Sequence, residues 1–220
     1  MVGAWEQRQA NSVLTYILHV DFCTVAWAFG LKNLIMPGPL LPIAGMPYDM
    51  ARNTAVAQFL QSDCQFLFSL DSDVIPPRDT ILRLMAHNQP VISGLYCRRS
   101  PPHGVPVMIK NGTWVTNYPR GSIVDVDLVG AGCLLIRRDV LERLPPSDPA
   151  RGKTAFDWRV DMAGLAPVGD CLSEDFSFCK RVREQLGVKV LVDTSIECRH
   201  VGFGEASYGN FQPMNSTPVT

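Results

Sequence analysis

Two aspartates, Asp71 and Asp73, end a short apolar run that begins at Phe66 and is followed by Pro76 and Pro77. The run predicts a buried strand, which the prolines prevent from continuing. Because side chains two residues apart in an extended chain point to the same side, both carboxylates can face one point in space. Paired carboxylates at the carboxyl end of a strand suit Mg²⁺ or Mn²⁺ that holds a phosphate group. An ordinary turn uses the same residue types, so the motif by itself leaves both interpretations open.

Two other segments could contact the same ligand. Arg52 and Asn53 stand near the start of a predicted helix, where an arginine could pair with a phosphate or a nucleobase. The segment Gly130-Ala131-Gly132 would let the backbone approach a ligand closely, because two of its residues have no side chain. A solvated helix face and a tight bend are the structural alternatives for these two segments.

Acidic residues and a histidine supply the remaining chemistry. Glu174 and Asp175 fall in the first turn of a predicted helix that Ser173 precedes. The helix dipole favours acidic residues there, but one carboxylate could also act as a general base on an acceptor hydroxyl. His200 follows the last predicted strand, where a neutral imidazole could complete the coordination of an ion held by Asp73. The structural alternative is a packed or surface histidine.

Strand-like and helix-like segments alternate along the chain. Near-continuous apolar strands in that order predict the α/β class, with a mostly parallel central sheet that helices cover on both faces. The predicted strands span residues 22–29, 40–44, 65–70, 91–96 and 188–192, and the predicted helices span 49–60, 77–87, 138–144 and 173–186. A β-hairpin is expected around 107–115, and 145–172 is expected to be irregular.

Length and composition predict one domain over residues 1–205 and a polar, flexible tail over 206–220. The formal net charge of −1 gives no support for a broad polyanion-binding surface. Seven cysteines occur without a Cys-x-x-Cys pair, which is typical of free thiols in a reducing compartment. With no recognisable signal peptide or membrane span, the sequence predicts a cytoplasmic protein, in the host cytoplasm if the gene is viral.

Taken in order, segments 51–53, 68–77, 130–141 and 173–175 resemble a glycosyltransferase of the GT-A fold, in its broad family-2-like group. The likeness covers about residues 22–201, and within the group the chain is similar to small single-domain enzymes of phages and bacteria. It implies a Rossmann-like sheet of GT-A type, with the hairpin region contacting the acceptor. It also implies transfer of a sugar from a UDP- or GDP-linked donor to an acceptor hydroxyl, with Mn²⁺ or Mg²⁺ as cofactor.

The resemblance assigns roles to individual residues. The metal ligands would be Asp71, Asp73 and His200, and the base would be Asp175 with Glu174 as its neighbour. The nucleotide sugar would contact Arg52, Asn53, Asp71, Ser72, Gly130, Ala131 and Gly132.

Acceptor contacts are expected from aromatic and arginine side chains in the middle of the chain, namely Tyr96, Arg98, Arg99 and Trp158. Solvated arginines and a tryptophan that covers the core edge are equally compatible with the pattern. The acceptor itself could be a modified DNA base if the gene comes from a phage, or a glycan, a protein or a small molecule. The sequence leaves the stereochemical course open.

Two rival functions fit parts of the pattern. A metal-dependent nucleotidyltransferase would share the sheet and the acidic strand end. It usually has a Gly-rich phosphate loop with Lys or Arg, of which Gly30-Leu31-Lys32 is a poor version. A non-catalytic domain that binds a nucleotide or a glycan is the other rival. The absence of a Gln-x-x-Arg-Trp motif argues against a processive polysaccharide synthase.

Overall fold

A computed structural model describes residues 12–19, 22–99, 104–147, 154–160, 171–201 and 205–206. The helices of this part are α1 (Val25–Asn33), α2 (Tyr48–Gln61), α3 (Thr80–Ala86), α4 (Arg138–Arg143) and α5 (Glu174–Leu186). The first strands are β1 (Val13–Leu18), β2 (Leu40–Ile43), β3 (Phe66–Asp71), β4 (Val74–Ile75), β5 (Val91–Leu95), β6 (Met108–Lys110) and β7 (Thr113–Trp114). The later strands are β8 (Ile123–Val126), β9 (Leu128–Val129), β10 (Cys133–Arg137), β11 (Arg159–Val160), β12 (Cys171–Leu172), β13 (Val190–Glu197), β14 (Arg199–Val201) and β15 (Glu205–Ala206).

The central sheet has seven strands in the order β2-β1-β3-β10-β5-β13-β8. β1 pairs parallel with β2 and β3, and β13 pairs parallel with β5. β10 runs antiparallel to both β3 and β5, so these two strands share a direction. Five strands therefore point one way, whereas β10 and β8 oppose them. The α/β prediction is confirmed. Most strands share one direction, as predicted, but neighbouring strands pair in both parallel and antiparallel fashion.

Helices cover both faces of this sheet, as predicted. Along β1, Tyr16 enters a core cluster with Phe59 of α2, and α4 and α5 contribute to the same cluster. The next residue, Ile17, enters a second cluster with Trp27 of α1, to which α3 also contributes. Alternate side chains of a strand point to opposite faces, so a strand buried on both faces is apolar along its whole length.

The predicted strand over residues 22–29 is wrong, because most of this segment belongs to α1. The helix follows Thr24, whose side-chain oxygen accepts a hydrogen bond of 3.1 Å from the backbone N–H of Trp27. Threonine is favoured at this N-cap position because it satisfies a donor that has no partner inside the helix. The first strand, β1, lies earlier in the same apolar run. Hydrophobicity alone does not mark the border between the two elements.

Most other predicted elements are confirmed. Helices α2, α4 and α5 match their predicted bounds to within one residue at each end, and α3 is shorter than predicted. The expected hairpin is β6–β7, which places Ile109 opposite Trp114. Gly187 caps the C-terminal end of α5, and its φ of 65° lies in the left-handed region that glycine adopts without strain. Of the expected tail, residues 207–220 lie outside the described residues.

The segment predicted to be irregular is anchored to two helices where it is described. Arg181 of α5 donates a hydrogen bond to the carbonyl oxygen of Ala155 at 2.9 Å. Asn53 of α2 accepts hydrogen bonds from the backbone N–H groups of Ala155 and Phe156, at 2.8 and 3.0 Å. These contacts seat Phe156 in the core, where its ring stacks on Phe178 with centroids 4.6 Å apart.

The sequence predicts that the chain has no membrane span and that its cysteines are free thiols. In the part of the chain that the structure describes, none of the helices has the length and apolar character needed to cross a bilayer. Free thiols are found at the cysteines whose state is described, which are Cys23, Cys64, Cys97, Cys133, Cys179 and Cys198.

Candidate functional site

The turn that follows β3 lies at the edge of the sheet where the parallel strands end. Asp71, the last residue of β3, is opposite Leu18, the last residue of β1. The backbone N–H of Asp71 donates to the carbonyl of Gly132 at 3.1 Å, and that of Ser72 donates to the carbonyl of Leu18 at 3.0 Å. The indole N–H of Trp27 donates to the carbonyl of Asp71 at 3.1 Å. Contacts from β1, α1 and the loop before β10 therefore fix the turn.

Arg52 of α2 joins this turn to α5. Only 3 % of its side chain is exposed, and Nη2 lies 3.2 Å from Asp71 Oδ1. Nε lies 3.1 Å from Glu174 Oε1. Nη1 donates to Ser69 Oγ at 2.8 Å and to the Tyr16 hydroxyl at 3.2 Å. Because a guanidinium is planar and has five donors, one side chain orients two carboxylates and two hydroxyls. These five residues are called the Arg52 cluster below.

The Arg52 cluster holds more negative than positive charge. Although 30 % of the Asp71 side chain is exposed, desolvation by the surrounding protein raises its pKa. Arg52 opposes this shift, and the charges of Asp73 and Asp175 add to it. Burial also raises the pKa of Glu174, with Asp175 adding to the shift and Arg52 opposing it. Burial disfavours the charge on Arg52, but Asp71, Tyr16 and Glu174 outweigh it and hold the Arg52 pKa well above its usual value.

Two short strands bring Asp73 and His200 together. β4 pairs antiparallel with β14, which places His200 opposite Val74. The backbone N–H of Val201 also donates to the carbonyl of Asp73 at 2.8 Å. His200 Nε2 then lies 3.3 Å from Asp73 Oδ1, and its ring packs edge-on against Tyr96 with centroids 5.4 Å apart. The predicted approach of His200 to Asp73 is therefore present in the structure.

A backbone contact determines which nitrogen of His200 carries the hydrogen. Nδ1 lies 2.7 Å from the carbonyl oxygen of Cys97, and a carbonyl oxygen only accepts hydrogen bonds. In the neutral ring, Nε2 therefore directs a lone pair at the Asp73 carboxylate, so two acceptors face each other. Either a cation between them or a proton on Nε2 removes this conflict. The same contact from Nδ1 orients histidines that bind metals through Nε2.

Arg99 is the second partner of Asp73. Its Nη1 lies 3.0 Å from Asp73 Oδ2, and the two side chains are 50 % and 28 % exposed. Desolvation would raise the pKa of Asp73, but the hydrogen bond and charge of His200 and the charge of Arg99 hold it below its usual value. Asp73 is therefore a carboxylate whose charge the folded state favours, with one half-exposed partner, Arg99, and one mostly buried partner, His200. Asp73, His200 and Arg99 are called the Asp73 site below.

The loop Gly130–Gly132 lies against both groups. The backbone N–H of Gly132 donates to the Tyr96 hydroxyl at 3.0 Å. A Cβ on Gly130 would lie 2.0 Å from that hydroxyl oxygen, and a Cβ on Gly132 would lie 3.1 Å from Asp71 Oδ2. These distances leave no room for a side chain at Gly130. The two glycines therefore allow the close backbone approach that the sequence suggested, here towards Tyr96 and Asp71.

Asp175 turns its carboxylate towards the same loop. Oδ2 accepts a hydrogen bond of 3.3 Å from the backbone N–H of Ala131. Oδ1 accepts from the backbone N–H of Phe176 at 2.8 Å and from the Ser173 hydroxyl. Ser173 stands at the N-cap position of α5, but its side chain binds this carboxylate and makes no capping hydrogen bond. The two neighbouring acidic residues therefore make different contacts. Glu174 pairs with Arg52, and Asp175 contacts the loop Gly130–Gly132.

Two predicted ligand contacts fit their surroundings poorly. The amide of Asn53 is engaged by the backbone, since Nδ2 donates to the Phe156 carbonyl at 2.6 Å and Oδ1 accepts from two backbone N–H groups. Asn53 therefore anchors that segment, which does not fit a nucleotide-sugar contact. Tyr96 is buried beneath the loop, so an acceptor contact at its ring does not fit either. Sequence patterns carry no information on these tertiary partners.

The other predicted contact residues lie nearer the surface. Ser72 is half-buried in the turn between the two aspartates. The Arg98 guanidinium lies 4.8 Å from the centroid of the Trp114 ring, a cation–π contact. Trp158 is exposed over 51 % of its surface. Their predicted roles in donor or acceptor binding stay predictions.

Two of the three predicted metal ligands, Asp73 and His200, lie close enough to contact one ion. Among the described residues, no group of three His, Cys, Asp or Glu side chains is placed to hold a metal. Mg²⁺ is commonly bound through one or two carboxylates together with substrate phosphates and waters. Asp73 Oδ1 supplies one such carboxylate oxygen, and Nε2 of the neutral His200 ring adds a nitrogen donor beside it. Asp71, the third predicted ligand, has its Oδ1 paired with Arg52.

Sequence reasoning missed three residues that shape the site. Tyr16 and Ser69 are buried strand residues that bind Arg52, and Trp27 binds the turn from α1. A hydroxyl inside an otherwise apolar strand was the available signal for Tyr16 and Ser69, because buried polar groups need partners. Trp27 was missed because its segment was predicted to be a strand and belongs to α1.

The sequence matches no protein-family model and no curated protein. Among solved structures, the fold is similar to that of A197 from STIV, with a TM-score of 0.60, 16 % identity, and coverage of 86 % of this chain and 85 % of that one. A glycosyltransferase involved in the glycosylation of the major capsid of PBCV-1 has a TM-score of 0.33 and 14 % identity, with coverage of 59 % and 61 %. The first likeness shows a shared fold. The second is too distant to support an argument about function.

Proposed function

We propose that this chain is a glycosyltransferase that moves a sugar from a nucleotide-sugar donor to an acceptor hydroxyl with the help of a divalent metal ion. One observation carries the proposal: the Asp71, Asp73 and Asp175 carboxylates and His200 surround one turn and one loop at the carboxyl edge of the sheet. Open α/β sheets bind their ligands at this edge.

Asp73 and His200 are the proposed metal ligands, through Oδ1 and Nε2. The bound ion would neutralise the negative charge that develops on a nucleoside diphosphate as it leaves. The Cys97 carbonyl supports this role, because it fixes the tautomer of the neutral His200 ring whose Nε2 lone pair faces Asp73. Arg52 orients Asp71 from behind the turn, because its guanidinium is buried among protein acceptors.

Asp175 is the proposed base for the acceptor hydroxyl. Its Oδ1 is held by Ser173 and by the N–H of Phe176, which fixes the direction of the carboxylate. Its Oδ2 makes a long hydrogen bond of 3.3 Å to Ala131. A carboxylate oxygen with a second lone pair can accept the proton while the acceptor attacks the sugar. Glu174 is unsuited to this role, because it is buried against Arg52.

A panel of UDP- and GDP-linked sugars tests the proposal by thermal shift and by hydrolysis, with and without Mn²⁺. A ligand that binds only the folded state raises the unfolding temperature by mass action, so a response does not require an acceptor. The expected result is Mn²⁺-dependent stabilisation by one nucleotide sugar, lost in Asp73→Ala and kept in the surface control Asp139→Ala. Release of pyrophosphate from a nucleoside triphosphate and a sugar 1-phosphate, with no release of nucleoside diphosphate from any nucleotide sugar, would identify a nucleotidyltransferase. No response to any nucleotide would contradict the proposal.

The base is tested separately. Asp175→Asn should keep the Mn²⁺-dependent stabilisation by the donor but lose sugar transfer or donor hydrolysis by about a hundredfold or more. The measurement is single-turnover release of the nucleoside diphosphate. Full activity in Asp175→Asn would show that Asp175 is not the base, and the result of the donor panel would still stand.

A further inference from the structure

Arg99 and Arg52 both pair with an aspartate of the turn after β3, but Arg99 is held less tightly. Arg52 is buried and binds four protein side chains. Arg99 is half exposed and pairs with Asp73 Oδ2 at 3.0 Å. Exposed ion pairs contribute little net stability, because solvent screens them and two long side chains lose freedom. The contact between Arg99 and Asp73 is therefore easily exchanged for another.

The same carboxylate is the proposed ligand of a divalent ion. His200 faces its Oδ1 and Arg99 faces its Oδ2, so one cation, the guanidinium, is already in contact with the carboxylate. A divalent ion that binds Asp73 must compete with the Arg99 guanidinium and is repelled by its charge. An ion of this kind brings the diphosphate of the donor to the same place. A guanidinium matches phosphate oxygens in a planar, two-pronged arrangement.

We propose that Arg99 exchanges partners during donor binding, from the Asp73 carboxylate in the free protein to the donor diphosphate once a divalent ion occupies Asp73. This inference rests on the proposed function. It gives Arg99 two opposite effects, because the residue weakens binding of the metal alone and strengthens binding of the metal together with the diphosphate. A side chain with a merely structural role would not produce effects of opposite sign.

The experiment compares wild type with Arg99→Ala in two binding measurements. The affinity for Mn²⁺ alone is measured by electron paramagnetic resonance of the free ion. The affinity for UDP and for GDP is measured by calorimetry at saturating Mn²⁺. In Arg99→Ala, Mn²⁺ alone should bind more tightly, by up to about tenfold, because a neighbouring positive charge is gone. The diphosphate that wild type binds should bind at least about tenfold more weakly, because a charged hydrogen bond is lost.

Two further variants separate charge from geometry. Arg99→Lys keeps the charge without the planar fork, so Mn²⁺ should bind as in wild type while diphosphate affinity falls part of the way. Arg143→Ala is the matched control, because Arg143 is also half exposed and lies 3.4 Å from an aspartate, Asp139, on α4. Neither affinity should change in Arg143→Ala.

The outcomes distinguish this inference from the function on which it rests. If Arg99→Ala leaves both affinities unchanged, or shifts both in the same direction, the exchange is overturned, while Mn²⁺-dependent diphosphate binding by wild type upholds the site. If wild type binds neither Mn²⁺ nor either diphosphate, both the exchange and the proposed function fail. Opposite shifts in Arg99→Ala with no shift in Arg143→Ala support the exchange.

Discussion

Asp71 and Asp73 stand two residues apart in one turn, yet the protein treats them in opposite ways. Asp71 belongs to the Arg52 cluster, where burial raises its pKa and a buried guanidinium holds one of its oxygens. Asp73 belongs to the Asp73 site, where His200 and Arg99 lower its pKa. The two side chains are about equally exposed, at 30 % and 28 %, but Asp71 is held by a buried guanidinium and Asp73 by a half-exposed one. A repeated residue type in a short motif need not mean a shared role.

The difference follows from the depth of the partners. Arg52 reaches the turn from beneath, through the core side of α2, and binds hydroxyls of two strands on its way. His200 and Arg99 approach from the segments that follow β13 and β5, where solvent is close. Removing one member of a buried charge group leaves an uncompensated charge, whereas an exposed pair is worth little. Four predictions test this contrast.

The largest expected effect is on folding stability and comes from Arg52→Met. This change leaves Asp71 and Glu174 without their shared cation, which should cost about 3–5 kcal/mol. Urea unfolding measures the loss. Adding Glu174→Gln to Arg52→Met should recover part of the lost stability, because one uncompensated carboxylate is removed. A loss near that of the surface control Arg143→Met would show that the Arg52 cluster is not electrostatically coupled.

The next effect is on metal affinity and comes from His200→Gln. The change removes the Nε2 lone pair that faces Asp73, so Mn²⁺ affinity should fall about 10- to 100-fold, which corresponds to about 1.4–2.8 kcal/mol. Mn²⁺ titration measures it. The matched control is His87→Gln, because His87 also pairs with an aspartate, Asp193, at 2.9 Å. Equal losses in both variants would place the metal elsewhere.

Neutralising Asp71 and neutralising Asp73 should change folding stability in opposite directions. Asp71→Asn removes a carboxylate whose raised pKa shows that the folded state disfavours its charge, so stability should rise or hold. Asp73→Asn removes a carboxylate that the folded state favours, so stability should fall. Each change is expected to be about 1 kcal/mol or less. Thermal unfolding at neutral pH measures both, and shifts of the same sign would erase the distinction between the two sites.

The smallest effect is in the pH dependence of the same variants. The lowered pKa of Asp73 means that its contribution to stability is present above about pH 4, the ordinary aspartate pKa, and is lost only as pH falls through the folded-state value. The raised pKa of Asp71 means that its cost is present at neutral pH and is relieved as pH falls through that raised value. The Tm gap between wild type and Asp71→Asn should therefore shrink on acidification to pH 4. The gap to Asp73→Asn should persist there.

Measuring Tm from pH 7.5 to 3.5 for wild type, Asp71→Asn and Asp73→Asn tests this prediction. If the Tm gap between wild type and Asp73→Asn closes at a higher pH than the gap for Asp71→Asn, the assigned directions of the pKa shifts are contradicted.

Local patterns predicted those parts of the site that depend on where a strand ends. The apolar run before Asp71 and the helix that begins at Glu174 are both visible in the sequence, and the carboxyl-edge rule brings them together. The approach of His200 to Asp73 required pairing of β4 with β14, strands of two and three residues that leave almost no periodic signal. The sequence supplied only the residue types there.

Strand direction and side-chain depth escaped prediction. An apolar strand buried on both faces has the same composition whether it is parallel or antiparallel, so nothing local revealed that β10 opposes its neighbours. A charged residue near a helix start is normally solvated, so the burial of Arg52 was equally hidden. Asn53 illustrates the same limit, because its partners lie about a hundred residues away in the chain.

The Arg52 cluster also restricts how this sequence can diverge. Its charged members come from α2, β3 and the start of α5, and Arg52 and Glu174 are 122 positions apart. Replacing Arg52 alone leaves two carboxylates in the interior without their cation, whereas neutralising Asp71 alone leaves Arg52 paired with Glu174. Loss of Arg52 is therefore expected only in relatives that have also replaced both carboxylates. Relatives that have lost His200, and with it the proposed metal site, should still carry Arg52 with at least one of its two carboxylates, because this pairing serves the scaffold.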